Sequence, residues 1–285
     1  MKVIGMDGGG GSLKVSFISD YEIKSKIYPY GVNLTSMSED MLISIFTEVK
    51  RDFGQTDVIA GGFSGLGDPI RKRKLLEILD ITFPAEKKIL MTDVQAVYDI
   101  VFGREKGVVI ICGTGSIVYG QDGYGNEYRN GGWGHLFADE ASAYWFSKEI
   151  IRYALLYRDG LCEYDPIFDE LLTFFDVKEY FQLVNLQNDK NFKALIASFS
   201  AVLLNKDSRL VDMLIENGSE ILFKRVKELE KNIKDLKEII FFGGVFMAPK
   251  FSSAISEKLF EYSTKIFKDD VSMQLAKKYY NEYKF

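Results

Sequence analysis

Three apolar strands of the sequence each run directly into glycine residues. The three junctions are Val3–Asp7 followed by Gly8–Gly11, Val108–Cys112 followed by Gly113–Ser116, and Ile239–Phe242 followed by Gly243 and Gly244. A glycine turn after a strand lets backbone N–H groups approach a phosphate, because no Cβ stands in the way. Three such loops, spread over the whole chain, predict a nucleotide held between two halves of the molecule.

Two aspartates at predicted strand ends are suited to phosphate chemistry. Asp7 ends the first strand, where a carboxylate can hold Mg²⁺ through water beside nucleotide phosphates; it can also be a turn residue that caps local N–H groups. Asp93 follows Thr92, where a strand ends and a helix begins. Its carboxylate can take the proton of an attacking hydroxyl group, or it can be an ordinary helix N-cap. We favour the chemical role for both, since glycines follow Asp7 and Asp93 lies between two glycine loops.

The least generic stretch of the chain is residues 131–145, which read GGWGHLFADEASAYW. A glycine-rich loop is followed there by Asp139 and Glu140 and then by an amphipathic helix. Glu140 is favourable near a helix N-terminus whatever the function, whereas Asp139 can hydrogen-bond the hydroxyl groups of a ligand. In the loop Gly113–Ser116, two hydroxyl side chains accompany the backbone N–H groups, which suits a phosphate better than it suits a plain hairpin turn.

Hydrophobic periodicity predicts the elements that must position these residues. The predicted strands are Lys2–Met6, Lys14–Ile18, Glu22–Tyr28, Val58–Phe63, Lys88–Met91, Gly107–Cys112, Ile117–Gln121, Glu127–Asn130 and Glu238–Phe242. The predicted helical segments are Glu39–Asp52, Ile70–Leu79, Asp93–Phe102, Ala141–Leu155, Tyr164–Phe175, Val177–Leu186, Phe192–Leu204, Ser208–Leu236 and Val271–Tyr283. Three short strands with a glycine loop after the first occur twice, which is a weak repeat in architecture.

Length and composition bound the class of protein. With 285 residues, 47% of them hydrophobic, the chain is long enough for about two domains, and we expect the break near Gly103–Lys106. The net charge of −5 argues against nucleic-acid binding. The 2 cysteines imply no disulfide framework. The chain opens on a strand rather than a signal peptide, and no apolar stretch reaches membrane-spanning length, so we expect a cytoplasmic protein.

Two β-rich halves, each opening with a strand–glycine hairpin, are typical of the fold shared by actin, sugar kinases and heat-shock ATPases. A doubly wound dinucleotide fold is disfavoured, because the loop after Asp7 leads into a strand rather than a helix. Residues 131–145 resemble the sugar-site segment of the N-acetylglucosamine kinase family, within the sugar-kinase and actin-like ATPase superfamily. That family reads Gly-Gly-Trp-Gly, a short spacer and Asp-Glu-Gly-Ser-Ala-Tyr-Trp; only Ala141 departs, where the family has glycine.

The resemblance covers essentially the whole chain and implies an α/β, two-domain actin-like ATPase (ribonuclease H-like) sugar-kinase fold with a nucleotide and sugar cleft between the domains. The small domain would span residues 1–105, with the last helix, 271–285, packing back on it, and the large domain residues 106–270. The resemblance also implies a homodimer that uses ATP and Mg²⁺ to phosphorylate an amino sugar or hexose at its 6-hydroxyl, with N-acetylglucosamine as the first candidate.

The same resemblance implies roles for individual residues. Asp93 would be the catalytic base and would also contact the sugar. The other sugar-binding residues would be Asn33, Ser64, Asp68, Gly132, Trp133, Asp139 and Ala143. Residues that bind ATP would be Asp7, which also holds Mg²⁺ through water, and Gly8, Gly9, Gly10, Gly11, Ser12, Lys14, Gly113, Thr114, Gly115, Gly243 and Gly244.

Two further positions depart from the family pattern. The first loop of the family usually reads Asp-Gly-Gly-Gly-Thr, and here Gly11 takes the threonine position and Ser12 follows. Ile117 stands where animal members carry an asparagine that touches the sugar, whereas archaeal members with broad hexose specificity carry an aliphatic residue. A broad hexokinase or glucosamine kinase therefore stays open beside an N-acetylglucosamine kinase.

Two functions of other classes also fit parts of the sequence. An ATPase that activates a 2-hydroxyacyl-CoA dehydratase would share the nucleotide fold and hold an iron–sulfur cluster with two cysteines per subunit. Cys112, however, lies in a buried strand and Cys162 in a charged loop, and residues 131–145 would have no purpose. A non-catalytic sugar sensor would explain the change at Gly11 but not an intact Asp93. The kinase is the favoured hypothesis.

Overall fold

The computed structural model describes residues 1–9, 11–35 and 37–284. The chain divides into two compact units. Unit 1 comprises Met1–Gly103 together with the C-terminal segment that starts at Lys268, and unit 2 comprises Arg104–Phe267.

In the described residues, each unit contains one five-stranded sheet. The strands of unit 1 are β1 (Lys2–Gly8), β2 (Leu13–Ser19), β3 (Ile23–Tyr28), β4 (Val58–Phe63) and β5 (Lys87–Thr92). The strands of unit 2 are β6 (Gly107–Cys112), β7 (Ser116–Gln121), β8 (Glu127–Gly131), β9 (Glu238–Phe242) and β10 (Ser263–Ile266). The orders are β3-β2-β1-β4-β5 and β8-β7-β6-β9-β10. In both sheets the first three strands of the order pair antiparallel with their neighbours, and the last three pair parallel. The repeated hairpin pattern of the sequence is therefore a repeated sheet topology.

Helices cover these sheets. In chain order they are α1 (Glu39–Phe53), α2 (Pro69–Thr82), α3 (Asp93–Val101), α4 (Ala143–Arg158), α5 (Ile167–Phe174), α6 (Phe192–Ser198), α7 (Ser200–Leu203), α8 (Arg209–Glu230), α9 (Pro249–Lys258) and α10 (Val271–Tyr283). Short 3₁₀ helices span Tyr180–Asn188 and Gly244–Met247. No helix of the described residues is long and apolar enough to cross a membrane.

The last helix, α10, packs directly on the sheet of unit 1. A Cβ added at Gly5 of β1 would lie 1.8 Å from the carbonyl oxygen of Ser272, so only glycine permits this approach. The Ser272 hydroxyl lies 2.8 Å from that of Ser16 in β2, and Asp270 caps the helix by accepting a hydrogen bond from the Met273 amide at 2.9 Å. Backbone proximity and one buried polar contact thus fix α10 on β1 and β2.

Several predicted helix boundaries are wrong. The helix predicted from Ala141 begins at Ala143, because Ala141 has a φ of 66° and Ser142 is the N-cap. In place of the predicted helix Val177–Leu186 there is a 3₁₀ helix over Tyr180–Asn188. The helix predicted over Phe192–Leu204 is broken into α6 and α7, and α8 ends at Glu230 rather than continuing to Leu236. Helix α9 was missed although Pro249 at its first position is a typical start signal, and β10 was missed because it has only four residues.

Candidate active site

Asp93 stands at the first position of α3, at the end of β5. The N-cap of this helix is Thr92: the Gln95 amide donates to its hydroxyl oxygen at 3.2 Å, and the Thr92 amide donates to the Gln95 side-chain oxygen at 3.0 Å. This reciprocal capping box satisfies the helix start without Asp93. One Asp93 carboxylate oxygen accepts a hydrogen bond from the Val94 amide at 2.9 Å. The capping role therefore belongs to the neighbour of Asp93.

Asp7 lies near the end of β1, opposite Gly62 of β4 and Lys14 of β2. Burial raises the pKa of its carboxyl group from 3.8 to about 6; the charge of Lys14 opposes this shift, and those of Asp93 and Asp270 add to it. Lys14 forms an ion pair with Asp270 at 3.7 Å. A partly buried carboxylate that is repelled by two others is in an environment that favours an additional cation.

The residues around Asp7 fit a magnesium ion held mainly through water. A carboxylate oxygen is the ligand type that Mg²⁺ prefers, and the ion usually keeps several waters. Within the described ranges, no group of three or more His, Cys, Asp or Glu side chains is arranged to hold a metal. The protein would therefore offer Asp7, and phosphate oxygens and water would supply the remaining ligands.

The glycine loop between β1 and β2 keeps one side clear of side chains. The Gly9 amide donates to the Ser12 carbonyl at 3.2 Å, and the carbonyls of Gly8 and Gly9 accept bonds from Ser64 and Val32, both at 2.9 Å. A Cβ added at Gly11 would meet no atom of the described residues within 4 Å. Gly10, also predicted to bind ATP, lies outside the described residues. The loop is tied down by its carbonyls and is open where a phosphate could approach.

The structure brings Asn33 and Ser64 together in unit 1. The two residues form an isolated parallel bridge, and the Leu34 amide donates to the Ser64 carbonyl at 3.1 Å. The side-chain oxygen of Asn33 accepts a hydrogen bond from the Thr35 amide at 3.0 Å. Asp68 has a different observed role, because it caps α2 through the Ile70 amide at 2.9 Å. A sugar contact of Asp68 stays a prediction.

In unit 2, two of the glycine loops meet at the end of β6. The Gly113 amide donates to the Gly115 carbonyl at 3.0 Å and closes a tight loop. Gly243 has a φ of 113°, and a Cβ there would lie 2.4 Å from the Cys112 carbonyl oxygen and 2.9 Å from the Gly113 nitrogen. Only glycine fits this contact, and it places the loop after β9 beside the loop after β6.

Asp139 packs against the first of these loops. Its side chain is almost fully buried, with 4% of the residue exposed, and a Cβ added at Gly115 would lie 2.7 Å from a carboxylate oxygen of Asp139. The other oxygen accepts a hydrogen bond from the Gly134 amide at 3.1 Å. Burial raises the pKa of Asp139, and the Gly134 amide and the charges of Lys193, His135 and Arg225 oppose that shift. The carboxylate therefore joins the loop 131–138 to the loop Gly113–Gly115.

The loop before Asp139 carries the residues predicted to face the 2-substituent of a sugar. Gly132 has a φ of 69°, and a Cβ there would lie 2.8 Å from the terminal carbon of Ile117. The Trp133 residue is 69% exposed, and the Arg129 guanidinium lies 4.4 Å from the centre of its ring. Ile117 thus lies directly beneath Gly132, and Trp133 presents an indole ring to solvent beside it.

A cavity of about 410 Å³ opens next to the loop Gly113–Gly115 of unit 2. It includes Gly113, Thr114 and Gly244, which were predicted to bind ATP, and Ala143, which was predicted to contact the sugar. The remaining lining residues were not predicted from the sequence; they are Ala194, Ala197, Ser198, Ser200, Ala201, Leu204, Asn205, Val245, Met247 and Ala248. Small residues recurring at helical spacing from 194 to 201 were the available signal, since they leave room beside a helix. The volume and the mixed lining suit a nucleoside.

Neither cysteine is placed for an exposed metal cluster. Cys112 is completely buried at the end of β6, and burial strongly raises the pKa of its thiol, which disfavours the thiolate that a metal requires. The Cys162 thiol donates to the Tyr153 carbonyl at 3.4 Å. This geometry gives no support to an iron–sulfur activator.

The sequence matches a known family over nearly its whole length. The profile of the BadF/BadG/BcrA/BcrD ATPase family matches residues 4–271. A relative from Clostridium acetobutylicum, named N-acetylmuramic acid/N-acetylglucosamine kinase, is 28% identical over 251 residues, which are 84% of this chain and 80% of the relative. The resemblance to N-acetylglucosamine kinases that the motifs indicated is confirmed.

Solved structures show the same fold at low sequence identity. A Porphyromonas gingivalis protein provisionally named an N-acetylglucosamine kinase has a TM-score of 0.80 at 16% identity, with both chains fully covered. A ROK family glucokinase from Streptomyces griseus, solved with glucose and AMPPNP, has a TM-score of 0.60 at 12% identity, covering 97% of this chain and 98% of the glucokinase. The predicted actin-like ATPase sugar-kinase fold is confirmed.

Proposed function

Because the chain belongs to the BadF/BadG/BcrA/BcrD ATPase family, we propose that it is an ATP-dependent sugar kinase that phosphorylates the 6-hydroxyl of an amino sugar, with N-acetylglucosamine as the first substrate. The observation that carries the proposal is the helix start at Asp93, where Thr92 provides the cap. Asp93 lies beside Gly62, the strand partner of Asp7, because a Cβ added at Gly62 would be 3.5 Å from the Asp93 Cα. The name of the Clostridium acetobutylicum relative supports an acetamido sugar.

In unit 1, Asp93 takes up the proton that the reaction releases. Its carboxylate accepts the proton of the 6-hydroxyl as that oxygen forms a bond to the γ-phosphorus, and the bond from phosphorus to the β-phosphate oxygen of ATP breaks. Asn33 and Ser64 bind sugar hydroxyls, and the loop from Gly8 to Ser12 approaches the phosphates. Mg²⁺ held near Asp7 would neutralise charge on the phosphate oxygens.

Unit 2 contributes the nucleotide-binding residues and further sugar contacts. Thr114 and the amides of the Gly113–Gly115 loop bind phosphate oxygens, with Gly243 and Gly244 beside them, and the cavity lined by α6 and α7 holds the nucleoside. Asp139 accepts hydrogen bonds from sugar hydroxyls, because the bond from the Gly134 amide occupies only one of its two carboxylate oxygens. Trp133 and Gly132 line the position of the 2-substituent.

Three finer features belong to the same proposal. Mg²⁺ is the expected metal, a cytoplasmic location would supply ATP, and the resemblance favours a homodimer. Light scattering on the purified protein would measure the mass of the assembly, and a mass near the 32.5 kDa of one chain would reject the dimer.

A second candidate, a broad hexokinase, rests on Ile117. Its aliphatic side chain lies against Gly132, where a polar residue could otherwise select for the acetamido group. An apolar contact discriminates weakly between substituents, since a few atoms in a hydrophobic pocket change the free energy of binding by about 1–3 kcal/mol.

The first test is a coupled ADP-release assay with Mg-ATP and N-acetylglucosamine, N-acetylmuramic acid, glucosamine, glucose or N-acetylmannosamine. A strong preference for N-acetylglucosamine would support the narrow proposal, and comparable rates on several hexoses would support the broad hexokinase. Absence of stimulation by any sugar would reject the kinase.

The role of Asp93 is tested by Asp93→Asn. The amide keeps the shape but cannot take a proton, so kcat should fall about 10²- to 10⁴-fold while calorimetric binding of the sugar stays within about threefold of wild type. The matched control is Asp99→Asn on the same helix, whose carboxylate instead pairs with Lys278 at 2.7 Å. Near-normal turnover of the Asp93 variant would remove it from the mechanism.

A further inference from the structure

One arginine is buried beneath the loop that carries the proposed sugar contacts. Arg225 belongs to α8, and its side chain is only 11% exposed. It forms an ion pair with Glu140, 85 residues away in sequence, through Nη2 and a carboxylate oxygen of Glu140. Removing a guanidinium from water is unfavourable unless it is paired, so the position of this side chain calls for an explanation.

The guanidinium also lies close to Gly131 at the end of β8. A Cβ added at Gly131 would be 2.9 Å from Nη1 and 3.0 Å from Cζ of Arg225, so a larger residue at 131 would displace the arginine. Nη1 is buried and has no hydrogen-bond acceptor among the parts of the chain that the structure describes. Arg225 therefore contacts the start of the loop 131–138 at Gly131 and, through Glu140, the turn that follows this loop.

The turn that Glu140 occupies needs such an anchor. The residues on both sides of it, Asp139 and Ala141, have φ values of 65° and 66°, a region that L-residues disfavour unless their surroundings hold them there. The backbone carbonyl of Glu140 accepts a hydrogen bond from the Ser116 hydroxyl at 2.6 Å. Arg225 holds the side chain of the same residue, so the turn is fixed from both its backbone and its side chain.

We propose that Arg225 is a positioning residue of the sugar site: through Glu140 and the backbone at Gly131 it holds the turn that presents the Asp139 carboxylate to the sugar. The inference rests on the proposed function, because Asp139 is a sugar contact only under that proposal. The positive charge of Arg225 also opposes the effect of burial on the pKa of Asp139, which favours the ionised carboxylate that accepts hydrogen bonds from hydroxyls.

The test compares Arg225→Met with Lys224→Met. Lys224 precedes Arg225 on α8, but its side chain is 72% exposed and its partner is Glu220 on the same helix. For Arg225→Met, kcat/KM for the sugar should fall about 10- to 100-fold, mainly through a higher KM for the sugar, while the KM for ATP changes less than about twofold. Lys224→Met should match wild type in every constant.

Two milder variants keep the test decisive if Arg225→Met folds poorly. Arg225→Lys retains the charge but not the planar guanidinium that reaches both Glu140 and Gly131, so its sugar KM should lie between those of wild type and Arg225→Met. Glu140→Gln should raise the sugar KM as Arg225→Met does. Arg225→Met and Glu140→Gln break the same ion pair. The double variant should therefore have a sugar KM no higher than that of the more impaired single variant. Parallel increases in sugar KM and ATP KM, or an unchanged sugar KM in both Arg225→Met and Glu140→Gln, would overturn the role of Arg225.

Hydrogen exchange separates this inference from the kinase proposal. The amides of Gly134 and Ser142 donate to the side chain and the carbonyl of Asp139, both at 3.1 Å. Their exchange should accelerate about tenfold in Arg225→Met and not in Lys224→Met. If wild type phosphorylates no sugar, the kinase proposal fails while this measurement still reports on the turn. Unchanged protection of both amides would reject the positioning role.

Discussion

Threonine in place of Gly11 should strengthen ATP binding. The N-acetylglucosamine kinases that the sequence resembles carry threonine after the third glycine of the first loop, where this chain has glycine. A Cβ at Gly11 meets no atom of the described residues within 4 Å, so a threonine side chain has room. A hydrogen bond to a charged group contributes about 1.5–3 kcal/mol. Taking the lower value for an exposed loop, Gly11→Thr should lower the dissociation constant for ATP about tenfold.

Gly11→Ala is the matched control for this substitution. Alanine restricts the backbone as threonine does but supplies no hydroxyl, so its affinity for ATP should stay within about twofold of wild type. Calorimetry with a non-hydrolysable ATP analogue and Mg²⁺ measures the affinity directly, whereas KM can include catalytic steps. Equal dissociation constants for Gly11→Thr and Gly11→Ala would refute the idea that this position lacks a phosphate ligand.

The Ser12 hydroxyl is the alternative phosphate ligand in this loop, so its contribution determines how the Gly11→Thr result is interpreted. Its carbonyl accepts the Gly9 amide, which fixes its backbone within the same loop. If the Ser12 hydroxyl already replaces the missing threonine, Ser12→Ala should weaken ATP binding about tenfold, and Gly11→Thr should restore it in the double variant. If Ser12→Ala has no effect while Gly11→Thr strengthens binding, the wild-type loop holds the phosphates through backbone amides alone.

Three further predictions concern Asp7, Gly218 and Ile117. Burial, opposed by Lys14, raises the pKa of Asp7 from 3.8 to about 6 in the folded protein. Between about pH 4 and 6 the folded protein therefore keeps a proton on Asp7 that the unfolded chain has released. The free energy of unfolding falls as the pH rises through this window. Asp7→Asn should match wild type near pH 4 and be up to about 3 kcal/mol more stable at pH 7.5 without metal, and equal urea midpoints by circular dichroism at pH 7.5 would contradict this. Gly218→Ala should lower the free energy of unfolding by about 1 kcal/mol less in an Ala141→Gly background than in wild type, since the added methyl would otherwise lie 3.2 Å from Cβ of Ala141. Additive shifts of the urea midpoint in the two single variants and the double variant would argue against this coupling. Ile117→Asn should raise the ratio of kcat/KM for N-acetylglucosamine over glucose about fivefold by adding an amide beside Gly132, and an unchanged ratio would place the 2-substituent elsewhere.

The sheets and their glycine loops were predictable because both signals are local. Alternating apolar residues specify a strand, and a glycine run after it specifies a loop without side chains, so β1, β6 and β9 could be read from a few adjacent residues. The observed β1 extends to Gly8 rather than ending at Met6, since pairing with β2 and β4 continues past the last apolar residue. The residue at which a strand ends depends on hydrogen bonds to neighbouring strands, and the local sequence does not specify those neighbours.

Distant contacts explain what the sequence could not provide. Whether Thr92 or Asp93 caps α3 depends on backbone dihedrals, and the capping box with Gln95 decides it. Arg225 looks like one more cation on a long amphipathic helix, and its burial arises only when α8 packs beneath β8. The cavity of unit 2 is formed by α6 and α7 against the loop at Gly113, and helical spacing alone does not reveal a cavity.

Ala141, which stands where the family has glycine, has a backbone conformation that is unusual for alanine. Four described residues other than glycine have positive φ, and three of them are aspartates, which tolerate this region; Ala141 is the fourth. An alanine there costs about 1–2 kcal/mol in local conformation, yet its methyl group is fully buried and faces Gly218 of α8. Glycine at 218 leaves the space that alanine at 141 fills, so burial offsets part of the strain. The strained turn persists because α8 supports it twice, through Gly218 and through Arg225, and it is the turn that holds Asp139 against the loop Gly113–Gly115.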